Sequence, residues 1–188
     1  MTYVRLDGML VEIVLLSNLR AGPVHGYELK RRVQRPLAAT VSNNSLYPIL
    51  RRLEDEGAVT HETQETDGRP PRKVYALTDE GRRRLRADVA ALPEALASDE
   101  EEFLLRVGFF AELTVTERLG IVAARRSALD RRAAQLAELL RDMVDPGPYP
   151  WRTLAARQVL AQIDAERAWL DELAGSAAAA PALEASTR

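Results

Sequence analysis

The sequence contains no cysteine, which excludes disulfide bonds and thiolate metal sites and fits a reducing cytoplasm. Its two histidines, His25 and His61, are too few for a convincing metal or nucleophile constellation. The longest apolar run starts at Met9, is interrupted by Glu12 and is far shorter than a membrane span. We expect no signal peptide before it. We therefore expect a cytoplasmic protein with no metal, no cofactor and no membrane segment.

Charge is spread unevenly along the chain. The formal net charge of −2 argues mildly against nucleic acid, because phosphate contacts need Lys and Arg. Residues 1–90 nevertheless carry 15 Lys and Arg against 12 Asp and Glu, whereas residues 91–188 carry 11 against 16. The first part is thus net +3 and the second net −5. We place a domain boundary between Pro93 and Asp99, which gives domains over residues 1–93 and 99–174.

The stretch from Ser42 to Gly57 has the pattern of an amphipathic helix. One face is apolar at spacings of three and four residues and points to a core. The other face carries short amides and hydroxyls followed by a cation, which can bind base edges and phosphates when a helix end enters the major groove. Its residues are Asn43, Asn44, Ser45, Tyr47 and Arg51. The alternative is an ordinary polar face, because Asn and Ser also gather at helix starts as caps.

Pro48 leaves two starting points for this helix, because proline is tolerated in the first turn and disruptive further in. Either Ser45 caps a helix that begins at Leu46, or the helix begins at Asn43 and is strained near its second turn. Gly57 is expected to end the helix as a C-cap.

Two helices are predicted before this segment and a β-hairpin after it. The apolar pattern from Leu6 to Arg20 and a shorter helix from His25 to Arg35 make a helix-turn-helix plausible. The Val- and Thr-rich stretch Ala58 to Thr66 and the stretch Lys73 to Leu77 predict two strands, with turn chemistry over residues 67–71 between them.

Basic residues accompany this hairpin. Arg69, Arg72 and Lys73 lie at its tip or base, where they could reach phosphates or enter a minor groove. A solubilising basic loop is the alternative interpretation. Thr78 is expected to cap the helix that follows.

Three blocks of the sequence resemble a known family: GPVHGYELKRRV, SLYPILRRLEDEGAV and DGRPPRKVYALTDEGRRRL. In order and spacing they resemble the PadR family of winged helix-turn-helix transcriptional regulators, over roughly Leu10 to Leu85. The resemblance implies that the third helix lies in the major groove, that the hairpin is the wing, and that Tyr27 and its neighbours contact the DNA backbone. It implicates Asn44, Ser45, Tyr47 and Arg51 in the helix and Arg69, Arg72 and Lys73 in the wing. The Asn-Asn pair before SLYP is variable in the family, so base specificity does not carry over.

The second half of the sequence reads as helical throughout. Thr114 to Glu117 forms a capping box before a long helix, and a final helix is predicted from Trp151 to Ala174. The long helix carries a heptad seam broken only by Arg126. These two helices cannot bury their apolar stripe alone, so they must pack on their own domain or on a partner. Residues 175–188 are expected to form a disordered tail.

We favour a homodimer, and the resemblance to the larger PadR subfamily implies that the helical C-terminal half forms its interface. The residues assigned to dimerisation are Leu119, Val122, Leu129, Leu136, Leu140, Leu160, Ile163 and Leu170.

The fold expected from these patterns is mainly α with a small β-hairpin, an N-terminal winged helix-turn-helix domain followed by a C-terminal helical dimerisation domain. The expected function is that of a sequence-specific transcriptional regulator, a ligand-responsive repressor that binds a palindromic double-stranded DNA operator as a homodimer. An alternative is a protein-interaction module in which the winged helix and the helical seam recruit partner proteins. An enzyme is not expected, because no nucleophile, base and orienting group are suggested together.

The resemblance also implies a small aromatic effector. The aromatic residues available to line a pocket for it are Phe103, Phe109, Phe110, Trp151 and Trp169. Apolar aromatics at helical spacing more often form a core, since they supply large buried areas.

Overall fold

The computed structural model describes residues 8–37, 43–66, 69–142 and 150–180. The chain divides into two compact units, residues 1–89 and 90–188. The first contains, in chain order, α1 (Gly8–Leu19), β1 (Val24–His25), α2 (Gly26–Leu37), α3 (Asn43–Asp55), β2 (Val59–Thr66), β3 (Arg69–Leu77) and α4 (Asp79–Ala90), which ends at the boundary. The second contains α5 (Glu100–Val107), α6 (Val115–Asp142) and α7 (Pro150–Ala179), with short 3-10 turns at Glu94–Leu96 and Phe110–Glu112.

Helix α1 lies in the core of the first unit. Seven of its apolar side chains are at most 4% exposed, and the helix packs on α2 and β3. A helix covered on two sides needs apolar residues on both, which explains why so many of its side chains are apolar.

Helix α3 begins at Asn43, so the second of the two predicted starting points is correct. Pro48 lies inside the helix and cannot donate to the carbonyl of residue 44. The helix ends at Asp55, and Gly57 terminates it as the predicted glycine cap, with a φ of 74° in the left-handed region. There the N–H of Ala58 donates to the carbonyl of Leu53 at 2.8 Å, and the N–H of Gly57 donates to Glu54 at 2.9 Å. These two bonds form a Schellman motif.

The hairpin is part of a three-stranded antiparallel sheet with strand order β1-β3-β2. The two-residue β1 was not predicted; Val24 pairs with Tyr75 and His25 with Val74. The prediction that residues 69–71 belong to the turn was wrong, because β3 already begins at Arg69, which pairs with Thr66.

Two features explain why prolines 70 and 71 fit into this strand. Strand β1 pairs with Val74 and Tyr75, and within the described residues no strand pairs with the start of β3 on that side. Between the pairs Gln64–Arg72 and Thr66–Arg69 the register shifts by one residue, and such a bulge lacks a ladder hydrogen bond.

Thr78 joins the sheet to α4 as predicted. Its hydroxyl accepts from the N–H of Gly81 at 3.0 Å, which caps the helix start. Gly81 is required by close packing, since a Cβ there would lie 2.1 Å from the carbonyl oxygen of Ala58. The cap and the glycine together hold α4 against the end of α3.

In the second unit, α6 packs along α7 and α5 packs on α6. The predicted capping box is present at the start of α6: the Glu117 carboxylate accepts from the Thr114 N–H at 2.8 Å, and the Thr114 hydroxyl accepts from the Glu117 N–H at 3.3 Å. On α5, Arg106 is fully buried and pairs with the buried Glu102 at 2.5 Å.

The prediction of a disordered tail from Gly175 was wrong for residues 175–180. Helix α7 continues to Ala179, since alanine has the highest helix propensity, and Ala177 is 4% exposed. The buried guanidinium of Arg118 donates to the carbonyls of Ala177 at 3.1 Å and Ala180 at 2.6 Å, which satisfies orphan acceptors at the helix end. Residues 181–188 lie outside the described part of the chain.

The expected fold class, mainly α with a small sheet formed around a hairpin, is confirmed. Among the helices that the structure describes, none has the length and apolar character needed to cross a membrane.

Candidate nucleic-acid interface

Helix α3 separates an apolar face from an exposed polar one. Leu46, Leu50 and Leu53 are at most 1% exposed and anchor the helix to the core. On the opposite side Tyr47 is 43% exposed and Arg51 is exposed. Residues 43–45 belong to α3, but the side chains of Asn43, Asn44 and Ser45 lie outside what the structure describes.

Four of the residues predicted to bind DNA line a single cavity of about 580 Å³: Tyr27, Tyr47, Arg72 and Lys73. They come from the start of α2, from α3 and from β3. His25, Gly26, Glu28 and Tyr75 complete its lining. The sheet thus brings the base of the wing beside the first turns of two helices. The side chain of Arg69, the remaining predicted wing residue, lies outside the described residues.

The cations at this surface differ from their neighbours in how they are paired. Arg51, Arg72 and Lys73 are exposed, and none of them makes an ion pair with another residue that the structure describes. Arg52, in contrast, donates to Glu12 at 2.5 Å and lies 3.6 Å from Glu56. The unpaired charges are therefore the ones available to an anion.

A network of charged side chains, which sequence reasoning did not find, fixes α3 from behind. The Glu12 side chain is 5% exposed and pairs with Arg52 of α3 and Arg84 of α4. Arg84 and Arg52 also share Glu56, and Arg84 lies 3.9 Å from Asp88. Hydrogen bonding to Glu12 raises the pKa of Arg52, and hydrogen bonding from Arg84 lowers the pKa of Glu56. The network joins α1, α3 and α4.

A second connection links α3 to the wing. His61 of β2 lies against Glu54 of α3 through its Nδ1 atom, and its ring lies 5.8 Å from that of Tyr75. Tyr75 is 4% exposed, and burial, together with the charge of Glu54 and the nearby Tyr47, raises its pKa. Tyr75 lines the same cavity as Tyr47. Tyr75 was not predicted as a site residue, because in the sequence it has the pattern of an ordinary buried strand residue.

The chemistry of this surface suits a polyanion. Guanidinium, ammonium and phenol groups donate hydrogen bonds, and the exposed cations can form ion pairs with phosphates. Among the described residues, no group of three His, Asp or Glu side chains could hold a metal ion.

The residues assigned to dimerisation fall into two groups in the second unit. Val122, Leu129, Ile163 and Leu170 are at most 4% exposed within a single chain. Leu119 is 37% exposed, and Leu136, Leu140 and Leu160 are half-buried. The first group stabilises the pairing of α6 with α7, so only the second group remains accessible.

The second unit also has a cavity, of about 570 Å³. Its apolar lining includes Leu104, Val159 and Trp169, and its polar lining includes Arg125 and Glu166, which are paired at 2.7 Å. Trp169 contacts the buried Phe103 edge to face at a centroid distance of 5.9 Å. Of the five aromatics considered for an effector pocket, Trp169 lines this cavity.

Comparison with known proteins gives three kinds of match. The model of the "Transcriptional regulator PadR-like family" matches residues 15–87. The negative transcriptional regulator PadR of Bacillus subtilis (strain 168) is 26% identical over 131 residues, which cover 69% of this chain and 70% of that protein. The transcriptional regulator Rv3488 of Mycobacterium tuberculosis is 38% identical over 84 residues, which cover 45% of this chain and 77% of the relative.

Among solved structures, Bacillus subtilis PadR in complex with operator DNA matches with a TM-score of 0.41 and 21% identity, over 89% of this chain and 99% of that one. The family match spans α2, α3, the hairpin and most of α4, the elements that carry the candidate interface. The chain belongs to the PadR-like family of transcriptional regulators.

Proposed function

We propose that this protein is a repressor that binds a palindromic DNA operator as a homodimer through its winged helix-turn-helix unit. The observation that carries the proposal is the common surface of α2, α3 and β3, on which Tyr27, Tyr47, Arg72 and Lys73 line one cavity. The name of the Bacillus subtilis relative, a negative transcriptional regulator, supports the direction of regulation.

In the proposed complex α3 enters the major groove. Its buried leucines fix the helix to the core, and the exposed Tyr47 and Arg51 face the bases and the adjoining phosphates. The wing cations Arg72 and Lys73 contact the sugar-phosphate backbone, with Arg69 beside them in the sequence. Backbone contacts position the protein and base contacts give specificity, so the two sets of residues have separable effects.

Homodimerisation is supported by apolar surface at neighbouring ends of α6 and α7. Leu139, Trp151 and Leu154 are 56%, 74% and 53% exposed, which is unusual for large apolar side chains in a small unit. We assign them to the dimer contact together with the accessible members of the predicted seam, Leu119, Leu136, Leu140 and Leu160. A twofold dimer would present two copies of α3 about one DNA turn, roughly 34 Å, apart.

The proposal also includes a small aromatic effector. The cavity of the second unit supports it, because an apolar wall with Trp169 faces polar groups of Arg125 and Glu166. Concave apolar sites with a few polar groups are the usual form of small-molecule sites.

The proposal is tested by selecting bound duplexes from a random-sequence DNA library with the full chain. We expect a palindromic consensus. Tyr47→Ala and Arg51→Ala should weaken binding to it by about tenfold each, since a contact to a base or phosphate contributes on the order of 1–3 kcal/mol. Both variants should elute as wild-type dimers in size-exclusion chromatography.

The matched control is Arg131→Ala, which removes an exposed arginine of the second unit that pairs with Glu94 at 3.2 Å. It should bind the consensus like the wild type. A library that yields no consensus would contradict the proposal and favour the protein-interaction alternative. Wild-type binding by both α3 variants, with folding verified, would contradict the assignment of α3.

A further inference from the structure

A side-chain contact joins α3 to the hairpin of β2 and β3. Helix α3 ends at Asp55 and β2 begins at Val59, so one tight turn separates the two elements. Backbone hydrogen bonds fix that turn at its base. Beyond the turn, the side-chain hydrogen bond that connects α3 to these strands within the described residues is the one between His61 Nδ1 and Glu54. The orientation of the hairpin against α3 therefore depends on this pair.

Glu54 belongs to the side of α3 that is assigned to DNA. Tyr47, Arg51 and Glu54 are spaced at i, i+4 and i+7, which places them on one stripe of the helix. Arg51 is exposed, whereas the Glu54 side chain is 28% exposed and lies against His61. A carboxylate on a surface that binds DNA repels phosphates, and a protonated His61 offsets this charge.

His61 belongs to the pair of strands that carries the wing cations. It pairs with Tyr75 of β3, and the two rings lie 5.8 Å apart. Side chains two positions apart share a face of a sheet, so Lys73, which pairs with Thr63, lies on the same face as His61. The bond from His61 to Glu54 therefore connects the DNA-facing stripe of α3 to the strands that hold the wing cations.

The strength of this bond depends on the protonation of His61. An ionised carboxylate only accepts hydrogen bonds, so Nδ1 donates to Glu54 both from the neutral ring and from the protonated ring. Protonation adds a positive charge, and a charge-assisted hydrogen bond is roughly twice as strong as a neutral one. The side chains of His61 and Glu54 are 25% and 28% exposed, which limits the screening of their attraction by solvent.

The groups on the elements packed against His61 do not change charge near neutral pH as a histidine does. Helix α3 contributes the Glu54 carboxylate and, one turn earlier, the cation Arg51. Strand β3 contributes the cation Lys73 and the phenol of Tyr75, whose pKa is raised above its usual 10.0 by burial, so that it is neutral. Histidine is the side chain that ordinarily gains its proton between about pH 8 and about pH 5. His61 is therefore the group through which pH acts on this contact.

We infer that His61 and Glu54 are positioning residues that hold the wing against α3, so that both contact DNA together, and that protonation of His61 tightens this link. The inference rests on the proposed function, in which α3 and the wing bind one operator. DNA binding uses the linked arrangement and protonation favours it, so operator affinity rises as the pH falls. We expect a gain of about fivefold between about pH 8 and about pH 5.5, the effect of strengthening one hydrogen bond by a charge.

The pH profile of operator binding, measured at constant salt, tests this role. The sequence contains two histidines, so a His25→Gln background leaves His61 as its remaining histidine. In this background the gain at low pH should persist. Adding Glu54→Gln or His61→Gln should flatten the profile, and the double variant should bind no more weakly than the weaker single variant, because both changes break the same link. A pair that only stabilises the fold would lower the melting temperature without changing the profile.

The matched control is Glu62→Gln. Glu62 is the exposed neighbour of His61 on β2, and it pairs with Val74 on the opposite face of the sheet. Glu54→Gln and Glu62→Gln both remove one negative charge, but Glu62→Gln should keep the pH profile. Circular dichroism must show every variant folded. If Glu54→Gln keeps the gain at low pH, His61 acts on DNA directly and the link is refuted; a flat profile with both residues present refutes it as well.

The link is also measured without DNA, by NMR of the imidazole nitrogens of His61 in the His25→Gln chain at about pH 8. Because the hydrogen-bond partner of a neutral ring fixes its tautomer, the bond to Glu54 requires the proton on Nδ1. A proton on Nε2 alone would overturn the link. A proton on Nδ1 with a flat binding profile would overturn its role in binding. A wild-type chain that selects no operator overturns the proposed function and this role with it, while the NMR signature still reports the contact.

Discussion

The carboxylate of Glu12 is the best place to test how the winged helix is held together. Its side chain is 5% exposed, whereas its partners Arg52 and Arg84 are 45% and 28% exposed. Removing the anion, as in Glu12→Gln, leaves cations that reach water and keep Glu56 as a partner. Removing both cations, as in Arg52→Met with Arg84→Met, leaves a buried carboxylate without its two partners. The two perturbations should therefore differ greatly in how far they lower the free energy of unfolding.

The loss in the free energy of unfolding depends on whether the charges left behind are exposed to water. Breaking a buried pair so that one charge stays buried and uncompensated costs about 3–5 kcal/mol, and we expect that range for the double methionine variant. Glu12→Gln should cost about 1–2 kcal/mol, because the remaining arginines are solvated and exposed pairs contribute little. The triple variant, which adds Glu12→Gln to the two methionines, should regain most of the difference.

Thermal and urea unfolding followed by far-UV circular dichroism measure these costs. A unit of this size should shift its melting temperature by about 4–8 °C per kcal/mol. Trp151 and Trp169 both lie in the second unit, so tryptophan fluorescence shows whether a change is confined to the first. The reasoning is refuted if the double variant is no less stable than Glu12→Gln, or if the triple variant is as unstable as the double.

Two further predictions concern the charges around this network and the wing. Arg72→Ala should weaken binding to all DNA sequences and reduce the slope of log K against log salt by about 0.9, the value for one phosphate contact; a changed consensus would contradict a phosphate role. Because Arg84 lowers the pKa of Glu56 below its usual 4.5, Glu56 stabilises the fold above that pH and ceases to do so as the pH falls through the lowered pKa. The wild type should thus be more stable than Glu56→Gln near about pH 6, and urea unfolding should show the gap closing toward about pH 3; a constant gap would rule out this linkage.

Much of the fold was predictable because local chemistry decides it. The Schellman motif at Gly57, the cap at Thr78 and the capping box of Thr114 each depend on residues within a few positions of one another. The same holds for the amphipathic face of α3. Family resemblance added the role of the hairpin as a wing.

The missed elements depend on partners that are distant in sequence. The two-residue β1 exists only because β3 passes beside it, and no periodicity can be detected in two residues. Glu12 and Arg52 are 40 positions apart, and Arg118 and Ala177 are 59 apart. Sequence patterns show that such a charge is present, but they do not show which distant residue becomes its partner in the fold. Ala177 illustrates the converse error, because a composition typical of a mobile tail forms the end of a packed helix.

The sequence predicted the types of residue that form the candidate site, but it did not predict all of those residues. Tyr27, Tyr47, Arg72 and Lys73 were assigned from resemblance, and the fold brings them to one cavity. Tyr75 and Gly26 also line this cavity but were not assigned, because the sequence does not show that β1 and β3 pair beside the start of α2.

The central claim, that the winged unit binds a specific DNA sequence, is tested most directly by a mobility-shift titration of the full chain on the DNA upstream of its own gene. The titration includes an excess of nonspecific competitor and a series of salt concentrations. The account predicts a discrete complex that survives the competitor and weakens steeply with salt. Binding no tighter than that to the competitor, on this DNA and on any library-selected duplex, would contradict it.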